Sequence, residues 1–180
     1  MANNHSPRRI ILVGESGEGK TQLLIDIVQN LRKQSVKVEG VLSPGIFDDG
    51  KKVAIELLDL ATNHSRICAR LALETKSDLE FGDWAFDREV LAWGNQRLNN
   101  IGQTDVFVLD EVGPLELEKG EGLQTGLEIA QNGWFKVGLM TARPNCVRPI
   151  LEVFPESEIF NCSSWDHSEL LQELIRIATR

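Results

Sequence analysis

The sequence predicts an α/β fold in three layers, a mainly parallel sheet with helices on both faces and an antiparallel extension to one side. Three observations carry that expectation. Short apolar runs of the buried-strand kind alternate along the chain with longer segments whose apolar residues recur at the helical period. A glycine-rich stretch joins the first such run to the first helical segment. An Asp49-Gly50 pair, flanked by two extended segments, marks a tight hairpin turn. Strands that alternate with helices pair in parallel, because the crossover helices then cover both faces of the sheet. With 180 residues, 42% of them hydrophobic, the chain suits one domain over residues 1–180. Within it residues 1–8 form a flexible tail, since Asn3, Asn4, Ser6 and Pro7 offer nothing to bury.

The elements follow in order. Residues 9–13, Arg9-Ile10-Ile11-Leu12-Val13, are a short buried strand, and residues 22–33 carry Leu23, Leu24, Ile27, Val28 and Leu31 at helical spacing. Residues 36–42 alternate like a strand. Ser43-Pro44-Gly45 breaks that pattern, and the Asp-Gly turn then predicts an antiparallel excursion through residues 53–58, followed by a third short strand at 66–71. Residues 73–84 are polar and mixed, and read as a long loop near the ligand. Asp87 starts a helix to Leu98 with Val90, Leu91 and Leu98 inward, and the nearby aromatics Trp84 and Trp93 suit packing better than a stacking platform. A strand at 104–111, a helix at 121–131, a strand at 135–140, a short helix at 147–154 and an edge strand at 159–160 complete the alternation. Asp166 with Glu169 forms a capping box for a closing helix whose apolar face is Leu170, Leu171, Leu174, Ile175 and Ala178.

Chemistry enters at Gly14-Glu15-Ser16-Gly17-Glu18-Gly19-Lys20-Thr21, which fits G-x-x-x-x-G-K-[ST] at every fixed position and sits between a strand and a helix, as that pattern requires. Its glycines let successive backbone N–H groups point at phosphate oxygens, Lys20 reaches the β and γ phosphates, and the Thr21 hydroxyl ligates Mg²⁺. The helix N-terminus adds its positive end. A second signal is the apolar run Val106-Phe107-Val108-Leu109 ending in Asp110-Glu111, carboxylates at the carboxyl end of a strand where ligand crevices lie. Asp110 is the natural partner of the Mg²⁺ held by Thr21, and Glu111 is placed to act on a water attacking the γ phosphate.

Other classes are excluded or set aside. A net charge of -8 argues against nucleic-acid binding by phosphate neutralisation. Cys68, Cys146 and Cys162 have no metal-ligand spacing and read as reduced thiols. No apolar run suits a signal peptide or a membrane span, so a soluble cytoplasmic protein is expected, without membrane partners. Asp110-Glu111-Val112-Gly113 and Thr75-Lys76-Ser77-Asp78 spell two GTPase patterns, but in the wrong order along the chain.

The chain resembles the THEP-type nucleoside-triphosphatases. The resemblance lies in the glycine-rich loop, in Val38-Glu39-Gly40-Val41-Leu42-Ser43-Pro44, in residues 55–62 and 86–95, and most specifically in Asp110-Glu111-Val112-Gly113-Pro114-Leu115-Glu116-Leu117. It implies a P-loop NTPase fold related to nucleotide kinases and slow, Mg²⁺-dependent hydrolysis of ATP, GTP or other NTPs. Lys20 and Thr21 would hold phosphate and metal, Asp110 would serve the metal, and Glu111 would act on water. The chain departs from the family pattern at Gly45-Ile46-Phe47 and Val53-Ala54-Ile55, where charged residues are usual, and at Gln22, where a second Thr is frequent. Arg143 is the local match to basic residues that follow the family's later strand; it either reaches the γ phosphate or stands in solvent. Glu116 either supports the site or ends a turn. Two other readings share the motifs: a kinase passing the γ phosphate to a nucleotide, nucleoside or other hydroxyl acceptor, and a nucleotide-gated binding module with incidental hydrolysis.

Overall fold

The computed structural model describes residues 6–180. Of the expected tail, residues 1–5 lie outside the described residues, and its inner end is corrected. Arg8 opens the first strand, β1 (Arg8–Val13), and its guanidinium makes two 2.8 Å bonds to the Glu158 carboxylate. After β1 come α1 (Lys20–Lys33), β2 (Val38–Leu42), the hairpin β3 (Gly45–Asp48) and β4 (Lys51–Asp59), and β5 (Ser65–Leu71). Next are β6 (Glu80–Phe81), β7 (Trp84–Phe86), α2 (Arg88–Asn99), β8 (Val106–Val112), α3 (Pro114–Leu117) and α4 (Gln124–Asn132). The chain closes with β9 (Val137–Ala142), α5 (Val147–Val153), β10 (Glu158–Asn161) and α6 (His167–Ala178).

Alternation along the strands decides the layering. In β1, Ile10 and Leu12 pack against α1 and α6, with Leu24, Ile27, Leu31, Leu170 and Leu174. Their neighbours Ile11 and Val13 join the opposite core with Phe107, Leu109, Met140, Leu98 and Ala130. A strand buried on both faces must be apolar at every position, which is why these segments read as continuous apolar runs. The described strands form one sheet in the order β10-β1-β9-β8-β2-β4-β5-β7-β6, with β3 paired to β4. From β10 to β2 the pairing is parallel; from β4 outward it is antiparallel. The expected α/β fold with an antiparallel extension is therefore what the chain adopts. Among the described residues no helix is long and apolar enough to cross a membrane.

Local signals place the ends. Asp49 (φ 44°) and Gly50 (φ 75°) supply the two left-handed residues that a type I′ hairpin turn requires. Asp87 caps α2 through the N–H groups of Glu89 and Val90, and Asp166 caps α6 through those of Ser168 and Glu169. Each such cap contributes about 1 kcal/mol.

Two expectations change. Residues 73–84 are not one long loop, because β6 and β7 form a small hairpin around Gly82 (φ 58°) that extends the sheet. Buried Leu79 and Ala85 anchor it, with Phe81, Trp84 and Phe86 half-buried against the same core, and strands this short show no period. The Trp84 ring lies 5.5 Å from the Lys52 ammonium, which meets the Glu111 carboxylate at 3.4 Å. The helix expected at 121–131 begins at Gln124, and a separate single turn, α3, precedes it with Pro114 at its first position. The reason is Glu116, whose carboxylate accepts from Leu123 N at 3.2 Å and folds residues 118–123 into a loop.

Candidate active site

Parallel strands share a carboxyl edge, and the chemistry-bearing residues gather there. Val13 of β1 leads into the glycine-rich loop, which returns through Gly17 (φ 88°) and Gly19 (φ 83°) to α1. Both glycines have left-handed backbone that a side chain would strain. No side chain caps the N-terminus of α1 and no acid lies in its first turn, so its first N–H groups and positive dipole end face the loop unneutralised. The loop is braced from within. Lys20 is buried and donates from Nζ to Gly14 O and Glu15 O, both at 2.7 Å, while the Glu18 carboxylate accepts from Glu15 N at 2.8 Å.

The second motif comes into contact with the first. Thr21 Oγ1 donates to Asp110 Oδ2 at 2.8 Å, across 89 residues of sequence. Ser43 N, just past β2, donates to the same oxygen at 3.0 Å, and Thr141 Oγ1 on β9 donates to Asp110 Oδ1 at 2.5 Å. Glu111 follows in a left-handed conformation, φ 59°, at a cost of about 1–2 kcal/mol for a residue with a β-carbon. Its N–H donates to Thr141 Oγ1 at 2.8 Å. Its carboxylate meets Lys52 Nζ of the β3–β4 hairpin at 3.4 Å, and the same ammonium lies 5.5 Å from the Trp84 ring centre. Burial pushes the Glu111 carboxyl above the ordinary carboxylate range; Lys52 pulls it back, Asp110 adds to the rise, and Arg143 lowers it slightly.

Thr21 and Asp110 are thus in direct contact, with Lys20 next to Thr21 in the chain and Glu111 next to Asp110. Arg143 does not join them: it is exposed past the end of β9, and its side chain makes no hydrogen bond or ion pair among the described residues. Sequence reasoning missed Ser43, Lys52 and Thr141. For Thr141 there was a signal, one polar residue near the carboxyl end of a strand otherwise apolar and wholly buried. Lys52 gave none, because its position depends on how the hairpin folds over the sheet edge. The oxygen donors Thr21 and Asp110 suit a hard cation such as Mg²⁺. Among the described residues no three His, Cys, Asp or Glu side chains converge as a cage, so such an ion would complete its shell with phosphate oxygens and water. Trp84 and Trp93 pack against the core, as expected. The cysteines are free thiols, and burial pushes that of Cys68 up to about 12.

Glu116 holds the turn behind the acid pair, accepting from Gly113 N at 3.1 Å as well as from Leu123 N. Burial pushes its carboxyl from the ordinary 4.5 to about 7, against those two N–H groups. A carboxyl whose folded pKa is raised binds protons more tightly in the folded state than in the unfolded one, so stability falls as pH rises between those two values. The expected loss is on the order of 2 kcal/mol between pH 4.5 and pH 8. Urea unfolding at pH 5 and pH 8 should show it in the parent and a markedly flatter dependence in Glu116→Gln. An equal slope in both proteins would contradict the assignment.

The NTPase family model matches residues 9–173. The nucleoside-triphosphatase THEP1 of Saccharolobus solfataricus is 28% identical over 115 residues, 61% of this chain and 62% of that protein. The THEP1 of Methanopyrus kandleri is 29% identical over 112 residues, 62% of this chain and 61% of that protein. The chain thus spans under two thirds of the length of these first curated relatives. The THEP1 of Methanocaldococcus jannaschii is 25% identical over 176 residues, 93% of this chain and 95% of that protein. The crystal structure of THEP1 from the hyperthermophile Aquifex aeolicus superposes with a TM-score of 0.73 at 18% identity, covering 96% of this chain and 99% of that one. At that identity the likeness speaks to fold.

Proposed function

Because the chain belongs to the NTPase family, we propose that it hydrolyses nucleoside triphosphates to the diphosphate and phosphate with Mg²⁺, through a Walker A loop at residues 14–21 and a Walker B pair, Asp110 and Glu111. The observation that carries the reading is the 2.8 Å bond from Thr21 to Asp110, which closes the phosphate loop onto the acid strand. In this reading the loop N–H groups of residues 14–21 and the start of α1 cradle the phosphates. Lys20 exchanges its two loop carbonyls for β and γ phosphate oxygens. Thr21 and Asp110 hold the metal, directly or through water; when bound, it would neutralise charge developing on the β and γ oxygens. Glu111 orients the attacking water and takes its proton as the oxygen bonds to the γ phosphorus and the bond to the β-γ bridging oxygen breaks. Lys52 supplies positive charge beside Glu111 and keeps it in place, and the exposed Arg143 adds a weaker positive field there.

Phosphate release from ATP, GTP, CTP and UTP tests the reading, with Mg²⁺ or with excess EDTA, in the parent and in Lys20→Ala, and with alcohol acceptors in parallel. Acceptor-independent release that EDTA abolishes, and that Lys20→Ala lowers by at least about 10²-fold, is expected. Transfer seen only with an acceptor would make the protein a kinase. Nucleotide binding without either reaction would make it a binding module.

A further inference from the structure

Between the paired residues Leu109↔Met140 and Val112↔Ala142, β8 spends two residues where β9 spends one. The two are Asp110 and Glu111; the one is Thr141, with no exposed surface. Such a bulge re-aims side chains, because the strict alternation of a strand would send neighbouring carboxylates to opposite faces of the sheet. Thr141 also lies on the strand that separates β1 from β8 in the sheet, between the phosphate loop and the acid pair.

Burial alone would ask for valine at this place, since every other residue of β9 is apolar and buried. A hydroxyl put there instead must be fully paired or it destabilises the fold. Both of its capacities are used. The proton goes to Asp110 Oδ1, which can only accept, so a lone pair is left for the Glu111 N–H. The result is one continuous series of hydrogen bonds, from the Thr21 hydroxyl to Asp110, to the Thr141 hydroxyl, to the backbone of Glu111. Its last bond anchors the residue whose φ of 59° is strained and whose carboxylate turns to Lys52. Strained conformations persist only where surrounding structure holds them.

We propose that Thr141 is a positioning residue for hydrolysis: opposite the two-residue bulge, its hydroxyl ties the metal-side acid Asp110 to the backbone of Glu111 and holds the Glu111 carboxylate where it meets the attacking water. The proposal rests on the hydrolase reading above. It predicts that binding and chemistry separate, because the Thr141 hydroxyl bonds to Asp110 and to the Glu111 backbone and makes no hydrogen bond to residues 14–21. Thr141→Val, which keeps the shape and loses both hydrogen bonds, should lower kcat by about 10–100-fold and change KM by less than about threefold. Thr141→Ser keeps the hydroxyl and should restore kcat to within about threefold. In the Glu111→Gln background, with residual turnover read at excess enzyme, Thr141→Val should cost less than about twofold, because the group it positions is already gone. Amide hydrogen exchange gives a readout apart from activity: the Glu111 N–H should exchange at least about tenfold faster in Thr141→Val and recover in Thr141→Ser, with the β1 amides unchanged as the control for folding. If the valine variant fails to fold, Thr141→Ala is read in the same way.

Losses that add fully to those of Glu111→Gln, a serine variant as slow as the valine one, or unaltered exchange at Glu111 would each overturn the proposal. A parent protein that releases no phosphate from any NTP sinks the hydrolase reading and this proposal with it. Turnover in the parent with additive losses sinks this proposal alone.

Discussion

Glu111→Gln is expected to lower kcat for phosphate release by about 10²–10⁴-fold while nucleotide affinity stays within about threefold of the parent. Glutamine matches the side chain in size and keeps an oxygen toward Lys52, so the bulge and the hairpin contact should survive. What it loses is the group able to take a proton from water. The carboxyl is poised for that task by its surroundings, since burial raises its pKa and Lys52, Asp110 and Arg143 then adjust it. A base acts in its deprotonated form, so kcat in the parent should fall as pH drops through a limb lying above the ordinary carboxylate value, and that limb should be missing from the residual activity of the variant. Phosphate release across pH, beside equilibrium binding of a fluorescent nucleotide, checks both statements. Full activity in Glu111→Gln would remove Glu111 from the chemistry.

Gly40→Ala is expected to be among the most damaging substitutions in the fold, at about 3–5 kcal/mol. Gly40 lies in the middle of β2 with φ 130°, a backbone that side-chain-bearing residues rarely adopt. A β-carbon there would overlap the carbonyl oxygen of Val108 and come within 2.7 Å of its nitrogen. Neither can move cheaply, since β8 is hydrogen-bonded on both sides, to β2 and to β9. The displacement would also reach the site, because Val108 precedes Asp110 by two residues and Ser43, three residues past Gly40, donates to Asp110. Thermal unfolding should show a midpoint lower by roughly 6–20 °C, against a change within about 2 °C for Gly102→Ala, whose β-carbon meets nothing within 4 Å. Equal midpoints for the two variants would refute the packing argument.

Much of this was legible because it is written locally. The glycine-rich loop needs glycines at fixed spacing for its backbone and lysine and threonine for its ligand, so its sequence is nearly its structure. The Asp49-Gly50 turn, the Asp87 and Asp166 caps and the two-faced apolar strands are likewise set by residues within a few positions of one another. The pairing of Asp110 with Thr21 was also legible, since Asp110 lies near the carboxyl end of β8 and Thr21 begins the helix that follows the loop at the carboxyl end of β1. Residues 73–84 misread as loop because β6 and β7 are too short for any period to show. Arg143, weighed as a site residue from its position after a strand, is exposed and makes no side-chain hydrogen bond or ion pair among the described residues, and its charge reaches Glu111 only weakly.

By itself, then, the sequence determined the α/β class, the hairpin extension, the glycine-rich loop between strand and helix and the acid pair, all of which follow from periodicity and from short motifs whose backbone demands are local. Only the tertiary structure decided the strand order, the bulge at Asp110 and Glu111, the threonine on β9 that closes it, and the Lys52 ammonium that reaches Glu111 from a hairpin 59 residues earlier in the chain. These depend on which strands lie side by side and in what register. Register is set by packing summed over the whole core, and no single stretch of sequence contains it.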